Sequence, residues 1–207
     1  MNEIILLAGL LLLGIYVFTK NETEKIESIN EAKNEIKKDW SDVDEKVVLK
    51  FYNLLKKYPF QKIVYDYRDY IILISLGIKE TGNLILSKNN FEIIGDRKLK
   101  YKAIGYFQVR FPAIVDVNKE FGGDYKEQDL YNEGINLLVA SRYFYLCYHR
   151  NNSGKDFYEK IWLASKRYNG GISLSIKSIN QRADKYANTF LKIYSKVENI
   201  LRFKKII

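Results

Sequence analysis

Residues 70–83, YIILISLGIKETGN, decide how the rest of the chain is read. Tyr70, Ile71, Leu73, Ile74 and Ile78 are too many apolar residues for one exposed stripe, so a buried helix is predicted from Tyr67 to Glu80. Thr81-Gly82-Asn83 ends it, with glycine where helices commonly stop. A carboxylate, Glu80, thus closes an apolar helix. Burial beside Ile78 and the carbonyl end of the helix both disfavour its ionised form. A carboxyl that keeps its proton near neutral pH suits general-acid work. A glutamate near a helix end is more often simply solvated, so this position alone assigns no function.

Outward from this segment the pattern stays helical. Val47-Val48-Leu49, Phe51-Tyr52 and Leu54-Leu55 predict a helix stopping near Tyr58-Pro59, because proline restricts the residue before it. Residues 91–101, FEIIGDRKLKY, suggest a small hairpin with Gly95-Asp96 at its turn. Further helices are expected around 111–121, 130–149, 156–168 and 181–202, separated by Gly122-Gly123, an Asn151-to-Gly154 loop and Gly170-Gly171. The fold class is mainly α with one minor hairpin, and residues 47–207 form one domain.

Two segments precede that domain. Ile4 to Phe18, IILLAGLLLLGIYVF, is uncharged and almost wholly apolar. As a helix it would run about 22 Å, against roughly 30 Å of bilayer hydrocarbon. Extension over Met1-Asn2 and Thr19, with local thinning, closes the difference. Two alternatives compete: a cleaved signal peptide, against which there is no basic start and no clear small-x-small site after Phe18, and a buried core helix, which would be odd at the extreme terminus and without polar faces. Residues 1–20 are therefore read as a membrane-anchor helix. Residues 21–46 carry Ile26, Ile29, Ile36, Trp40 and Val43 on one face of a charged helix, with Lys33 interrupting the seam. This stalk is read as amphipathic, its later part docking on the domain.

Composition narrows the chemistry. Cys147 is the only cysteine and His149 the only histidine among 207 residues. An intramolecular disulfide and a thiolate cluster are excluded, and any histidine triad or histidine-rich metal site would rest on His149 alone. Cys147 reads as a small buried residue and His149 as a surface residue at a helix end. Neither metal nor cofactor is expected. The net charge of +9 is spread along the chain without a Lys/Arg cluster beyond adjacent pairs. A basic balance can serve nucleic acid, an anionic membrane surface or an acidic cell-wall polymer, and charge alone does not choose; spread this way it reads as a solvated surface, and nucleic acid is not expected as a partner.

Five segments in order carry a resemblance. LGIKETGN ends in Glu80-Thr81; AIGYFQVRFPA, residues 103–113, holds Gly105, Gln108, Pro112 and Ala113; NLLVASRYF holds Asn136, Arg142 and Tyr143. Arg167-Tyr168-Asn169-Gly170-Gly171 follows, and Tyr186 opens the last helix. Read together, these resemble the lytic transglycosylase branch of the lysozyme-like superfamily, which includes the goose-type lysozymes. The segments match its Glu-Ser helix, its Gly-Leu-Met-Gln segment, its Asn-Ile helix ending in Gly-Ala-Arg-Tyr-Leu, its Ala-Tyr-Asn-Ala-Gly segment and its closing tyrosine. Thr81 stands for serine, Ala140 for glycine and Tyr106-Phe107 for Leu-Met, the last altering the cleft wall. Lys166-Arg167 replaces small residues and brings positive charge towards the substrate.

The resemblance implies a lysozyme-like helical domain that cleaves the β-1,4 bond between MurNAc and GlcNAc in peptidoglycan. Glu80 would act as the single acid and then base, forming 1,6-anhydroMurNAc ends. It implies substrate contacts or positioning roles for Thr81, Gly105, Gln108, Tyr168, Asn169 and Tyr186. Gly105 would let backbone approach a sugar closely, and Gln108 offers a donor and an acceptor to an N-acetyl group. Asn136, Arg142 and Tyr143 are read as structural. Hydrolysis by the same fold is the near alternative. It needs a second carboxylate; Arg110 stands where goose-type lysozymes can place an aspartate, which leaves Glu92 and Asp96 as candidates. A non-catalytic wall-binding protein is the alternative of a different class. The expected setting is the cell envelope, with the anchor in the membrane and the domain facing the wall, serving a secretion apparatus. A phage virion that opens the wall is the alternative setting.

Overall fold

Asp44 accepts a hydrogen bond from the Lys46 amide at 2.8 Å and so starts α1, Glu45–Lys57. Its buried face is Val47, Val48, Phe51, Leu54 and Leu55. The computed structural model describes residues 43–95, 101–150, 153–171 and 181–207. The expected anchor over 4–18, most of the expected stalk over 21–46, and Asp96 lie outside them. Val43–Ile207 forms one compact unit. Among its described residues no helix is long and apolar enough to cross a membrane.

α2, Arg68–Thr81, is the centre of this unit. Ile71 to Ile78 are buried without a break, as the all-round apolar sequence demands. At its start the buried Asp69 carboxylate accepts the Ile63 and Val64 amides, both at 2.8 Å, which fixes the loop arriving from α1. Gly82 ends it, its amide donating back to the Ile78 carbonyl at 2.8 Å. A single turn, α3 (Leu84–Ser87), and a 3-10 turn, Asn90–Glu92, follow.

The hairpin is real but differs from expectation. β1, Ile94–Gly95, pairs antiparallel with β2, Ala103–Ile104, in the register Ile94 to Ile104 and Gly95 to Ala103. Gly95 is thus a strand residue rather than a turn residue. Ile104 then pairs with Val109 in an isolated antiparallel bridge, so Gly105 to Gln108 form a second, tight turn.

The remaining elements are helices: α4, Phe111–Phe121; α5, Glu133–His149; α6, Phe157–Gly170; and α7, Gln181–Phe203. Pro112 in the first turn of α4 and left-handed Gly122 at its end delimit it cleanly. α7 packs on α6 and α2, α5 on α6 and α4, and α1 on α2. The core they enclose includes Phe107, Phe144, Phe190 and Tyr194. Cys147 is fully buried in it, and burial pushes its thiol well up from the usual range. His149 is exposed at the end of α5 beside the Ile63 carbonyl.

Candidate functional site

The turn from Gly105 to Gln108 is a short run of backbone with unusual dihedrals. Gly105 has φ +77° and Gln108 φ +47°, the latter rare for a residue with a side chain. Such conformations persist where surrounding groups over-determine them. Here every backbone N–H and C=O of Gly105, Tyr106 and Phe107 has a partner. The Gly105 amide donates to the Ile93 carbonyl, and its carbonyl accepts the Gln108 amide and side-chain Nε2. The Tyr106 amide donates to Asn90 Oδ1 at 2.8 Å, and its carbonyl accepts the Thr81 hydroxyl at 3.2 Å. The Phe107 amide donates to Asn136 Oδ1 at 3.2 Å, and its carbonyl accepts the Tyr168 hydroxyl at 2.8 Å.

This bracing places Gln108 on the wall of a cavity of about 230 Å³. Glu80 reaches it from the end of α2, and Tyr168, Asn169 and Gly171 from the end of α6. Tyr143 of α5 and the segment from Val109 to Ala113 complete the lining. Among the described residues Glu80 is the sole acidic residue in that lining. Its Oε1 accepts a hydrogen bond from the Tyr186 hydroxyl, brought from α7 across the helix packing. The Lys79 ammonium lies 4.3 Å from the centre of the Tyr186 ring. Burial, then the charge of Glu80, pushes both the Tyr168 and the Tyr186 phenol well above the usual range. Both hydroxyls therefore stay protonated and act as donors at any ordinary pH.

Of the residues singled out in the sequence, Glu80, Gln108, Tyr168 and Asn169 meet in this cavity. Thr81, Gly105 and Tyr186 stand behind its wall. Thr81 is buried, bonded to the Gly77 and Tyr106 carbonyls, and ties α2 to the turn. Gly105 is not part of the lining. A side chain there would meet Asn90 Oδ1 at 2.4 Å and Asn136 at 2.6 Å, so the close approach is to the protein's own amides. Glu92 is not part of the lining either: its carboxylate accepts the Asn89 amide at 2.7 Å and caps a 3-10 turn.

Three further readings are corrected. Tyr106 and Phe107 do not form the cleft wall; both are buried and pack edge-on against Phe51. Lys166 and Arg167 carry no charge into the cavity. Lys166 is buried, paired with Asp184 and lying over the Trp162 ring, while Arg167 donates to the Cys147 and Arg150 carbonyls at the end of α5. Tyr143, read as structural, lines the cavity and meets Tyr168 edge to face at 5.4 Å.

Sequence reasoning missed Asn90, whose amide bridges the turn to the Leu130 and Tyr131 carbonyls. A polar pair, Asn89-Asn90, ahead of the apolar Ile93-Ile94 was its only signal. Gly95 also had a role hidden from local reading, because a side chain there would lie 2.1 Å from Gln108 Oε1. Among the described residues no group of His, Cys, Asp and Glu could hold a metal ion. No protein-family model, curated protein or solved structure matches the chain.

Proposed function

We propose that this chain is a lytic transglycosylase that cleaves the β-1,4 bond between MurNAc and GlcNAc in peptidoglycan. The observation that carries the reading is a carboxylate, Glu80, the one acidic group among the described residues that line a polar cavity, held at Oε1 by the Tyr186 hydroxyl. On this reading the helices and small hairpin of Val43–Ile207 are a lysozyme-like domain. Residues 4–18 would anchor it in the membrane with the domain facing the wall, as part of the cell envelope or, alternatively, of a phage virion.

Glu80 first donates its proton to the glycosidic oxygen, and the GlcNAc leaves. The N-acetyl oxygen of MurNAc attacks the anomeric carbon, and the resulting charge is balanced by the Glu80 carboxylate. Glu80 then takes the proton of the MurNAc 6-hydroxyl, whose oxygen attacks the anomeric carbon and displaces the N-acetyl oxygen, restoring the acetamido group and the protonated acid. No second carboxylate is needed in this sequence, whereas a glycosidase that activates water or forms a covalent intermediate uses two. Gln108 and Asn169 face the cavity with amides suited to an N-acetyl group. Tyr186 fixes one oxygen of Glu80, leaving the orientation of the carboxyl defined.

Mass spectrometry of purified peptidoglycan digested by the full-length protein, with Glu80→Gln in parallel, tests this. Fragments one water lighter and ending in anhydromuramic acid, absent with Glu80→Gln, are expected. Reducing ends would make the enzyme a hydrolase. Comparable cleavage by a folded Glu80→Gln protein would remove Glu80 from the mechanism. Absence of cleavage by either protein would favour a wall-binding role without catalysis.

A further inference from the structure

The cavity at Glu80 is small for the substrate proposed. Pockets that enclose a drug-sized ligand measure about 300–1,000 Å³, and this one measures about 230 Å³. A volume of that order suits a single sugar ring, whereas the bond to be cut joins two and lies within a strand. The neighbouring sugars must rest on surface adjoining the cavity.

One part of that rim is built for it. Phe111, the first residue of α4, lies between cavity-lining Arg110 and Pro112, yet 39% of its own surface is exposed. It is not a stray apolar residue. The half-buried Tyr101 ring stacks on it nearly parallel, at 5.7 Å between centroids and 24° between planes. Tyr101 stands two positions before Ala103, which also lines the cavity. One helical turn beyond Phe111 on the same face, Val115 is 49% exposed. Tyr101, Phe111 and Val115 therefore form a partly exposed apolar strip next to the cavity-lining residues Ala103, Arg110 and Pro112.

We propose that Tyr101 and Phe111 form a stacking platform for the N-acetylhexosamine next along the glycan strand from the one held at Glu80. The pyranose presents an apolar face of axial C–H groups that matches the flat, polarised face of an aromatic ring. Tyr101 backs the Phe111 ring and fixes its plane before the sugar arrives, which limits the ordering cost on binding. This placement rests on the glycan-cleaving reading of the cavity, and its test separates the two.

Calorimetry with N-acetylglucosamine oligomers of two to six units, on full-length Glu80→Gln protein, isolates binding from cleavage. Affinity is expected to rise with oligomer length, and Phe111→Ala or Tyr101→Ala is expected to remove about tenfold of that rise. Phe111→Tyr, which keeps the ring, should restore it and control for folding. In proteins with Glu80 intact, the same alanine variants should raise KM on long strands while leaving kcat within about twofold. Equal oligomer affinity with and without the Phe111 ring overturns the platform, whatever the fate of Glu80. Ring-dependent binding without cleavage by the Glu80 protein keeps the platform and overturns the catalytic reading. Absence of binding at every length overturns both.

Discussion

The Tyr186 hydroxyl donates a hydrogen bond to Glu80 Oε1, joining the last helix of the chain to the end of the central one. Tyr186 is 7% exposed, with Lys79 over its ring, so its position is set by packing and not by the substrate. A donor held this way fixes the Glu80 rotamer and steadies its charge when the proton has gone. Tyr186→Phe removes the donor and keeps the ring. It is expected to lower kcat about 10- to 100-fold, the range a hydrogen bond to a charged group supplies. KM should stay within about twofold and the melting temperature close to wild type. Steady-state release of anhydromuramoyl ends, with a thermal melt beside it, checks this. A matching loss of stability would make Tyr186 a packing residue only.

Two glycines on the turn should separate function from folding. At Gly105 a methyl group would meet Asn90 and Asn136, and the backbone is left-handed. Neither asparagine can retreat, since each also bonds backbone carbonyls. Gly105→Ala is expected to cost about 2–4 kcal/mol. At Gly95 the obstructed atom is Oε1 of Gln108, at the end of a flexible side chain held by a hydrogen bond from Nε2 to the Gly105 carbonyl. Gly95→Ala should therefore change stability by no more than about 1 kcal/mol while displacing the Gln108 amide. Urea unfolding should show a large loss for the first variant and a small one for the second. Cleavage by Gly95→Ala should drop about tenfold, and wild-type activity there would remove Gln108 from the site.

What the sequence made legible follows from the range of each determinant. α2 was readable because its apolar residues and Gly82 lie within one short stretch, and α4 because Pro112 and Gly122 bracket it. The Gly105–Gln108 turn was not. Its amides are held by Asn90 and Asn136, 16 and 29 residues away in the chain, and those bonds turn Tyr106 and Phe107 inward. Gly95-Asp96 has the local chemistry of a hairpin turn, but the space Gln108 needs beside Gly95 is a tertiary fact. Lys166 and Arg167 read as charge directed towards the substrate, since nothing near them in sequence announces Asp184 or the α5 carbonyls. Capping glycines marked Glu80, Tyr168 and Asn169 as helix-end residues, but their selection as candidate site residues came from the order of the five segments, since a helix-end position alone assigns no role.

The Lys166–Asp184 pair gives a stability prediction of opposite sign to intuition about salt bridges. Lys166 is 5% exposed, whereas 44% of the Asp184 side chain meets solvent. Removing the acid leaves a buried ammonium without its counter-charge, which costs several kcal/mol in fully buried pairs. With Asp184 partly solvated, Asp184→Ala is expected to cost about 2 kcal/mol. Lys166→Met keeps the stem packed against Trp162 and removes the charge to be compensated, so it should lie within about 1 kcal/mol of wild type. Urea midpoints of the two variants decide it. Equal losses would mean that the pair itself, and not the burial of Lys166, carries the energy.

Buried tyrosines should set an alkaline limit on stability. Burial, and then the charge of Glu133, pushes the Tyr106 phenol up to about 12 from its ordinary 10.0. Burial and Glu80 push Tyr168 and Tyr186 well above that ordinary value, and burial and Glu198 raise Tyr194. In the unfolded chain these phenols ionise near pH 10, so above that pH the unfolded state holds fewer protons than the folded one. Their contribution is fully present below pH 10 and is lost as pH climbs through the raised folded values. Each such tyrosine removes up to about 1.4 kcal/mol per pH unit across that window. The melting temperature should accordingly be insensitive to these groups up to about pH 9.5 and fall steeply from about pH 10 to 11.5. Ultraviolet titration at 295 nm of the folded protein should show the same residues missing from the first phenolate wave. Full ionisation of all tyrosines near pH 10 with the helical circular dichroism intact would mean that Tyr168 and Tyr186 are open to solvent and not buried beside Glu80.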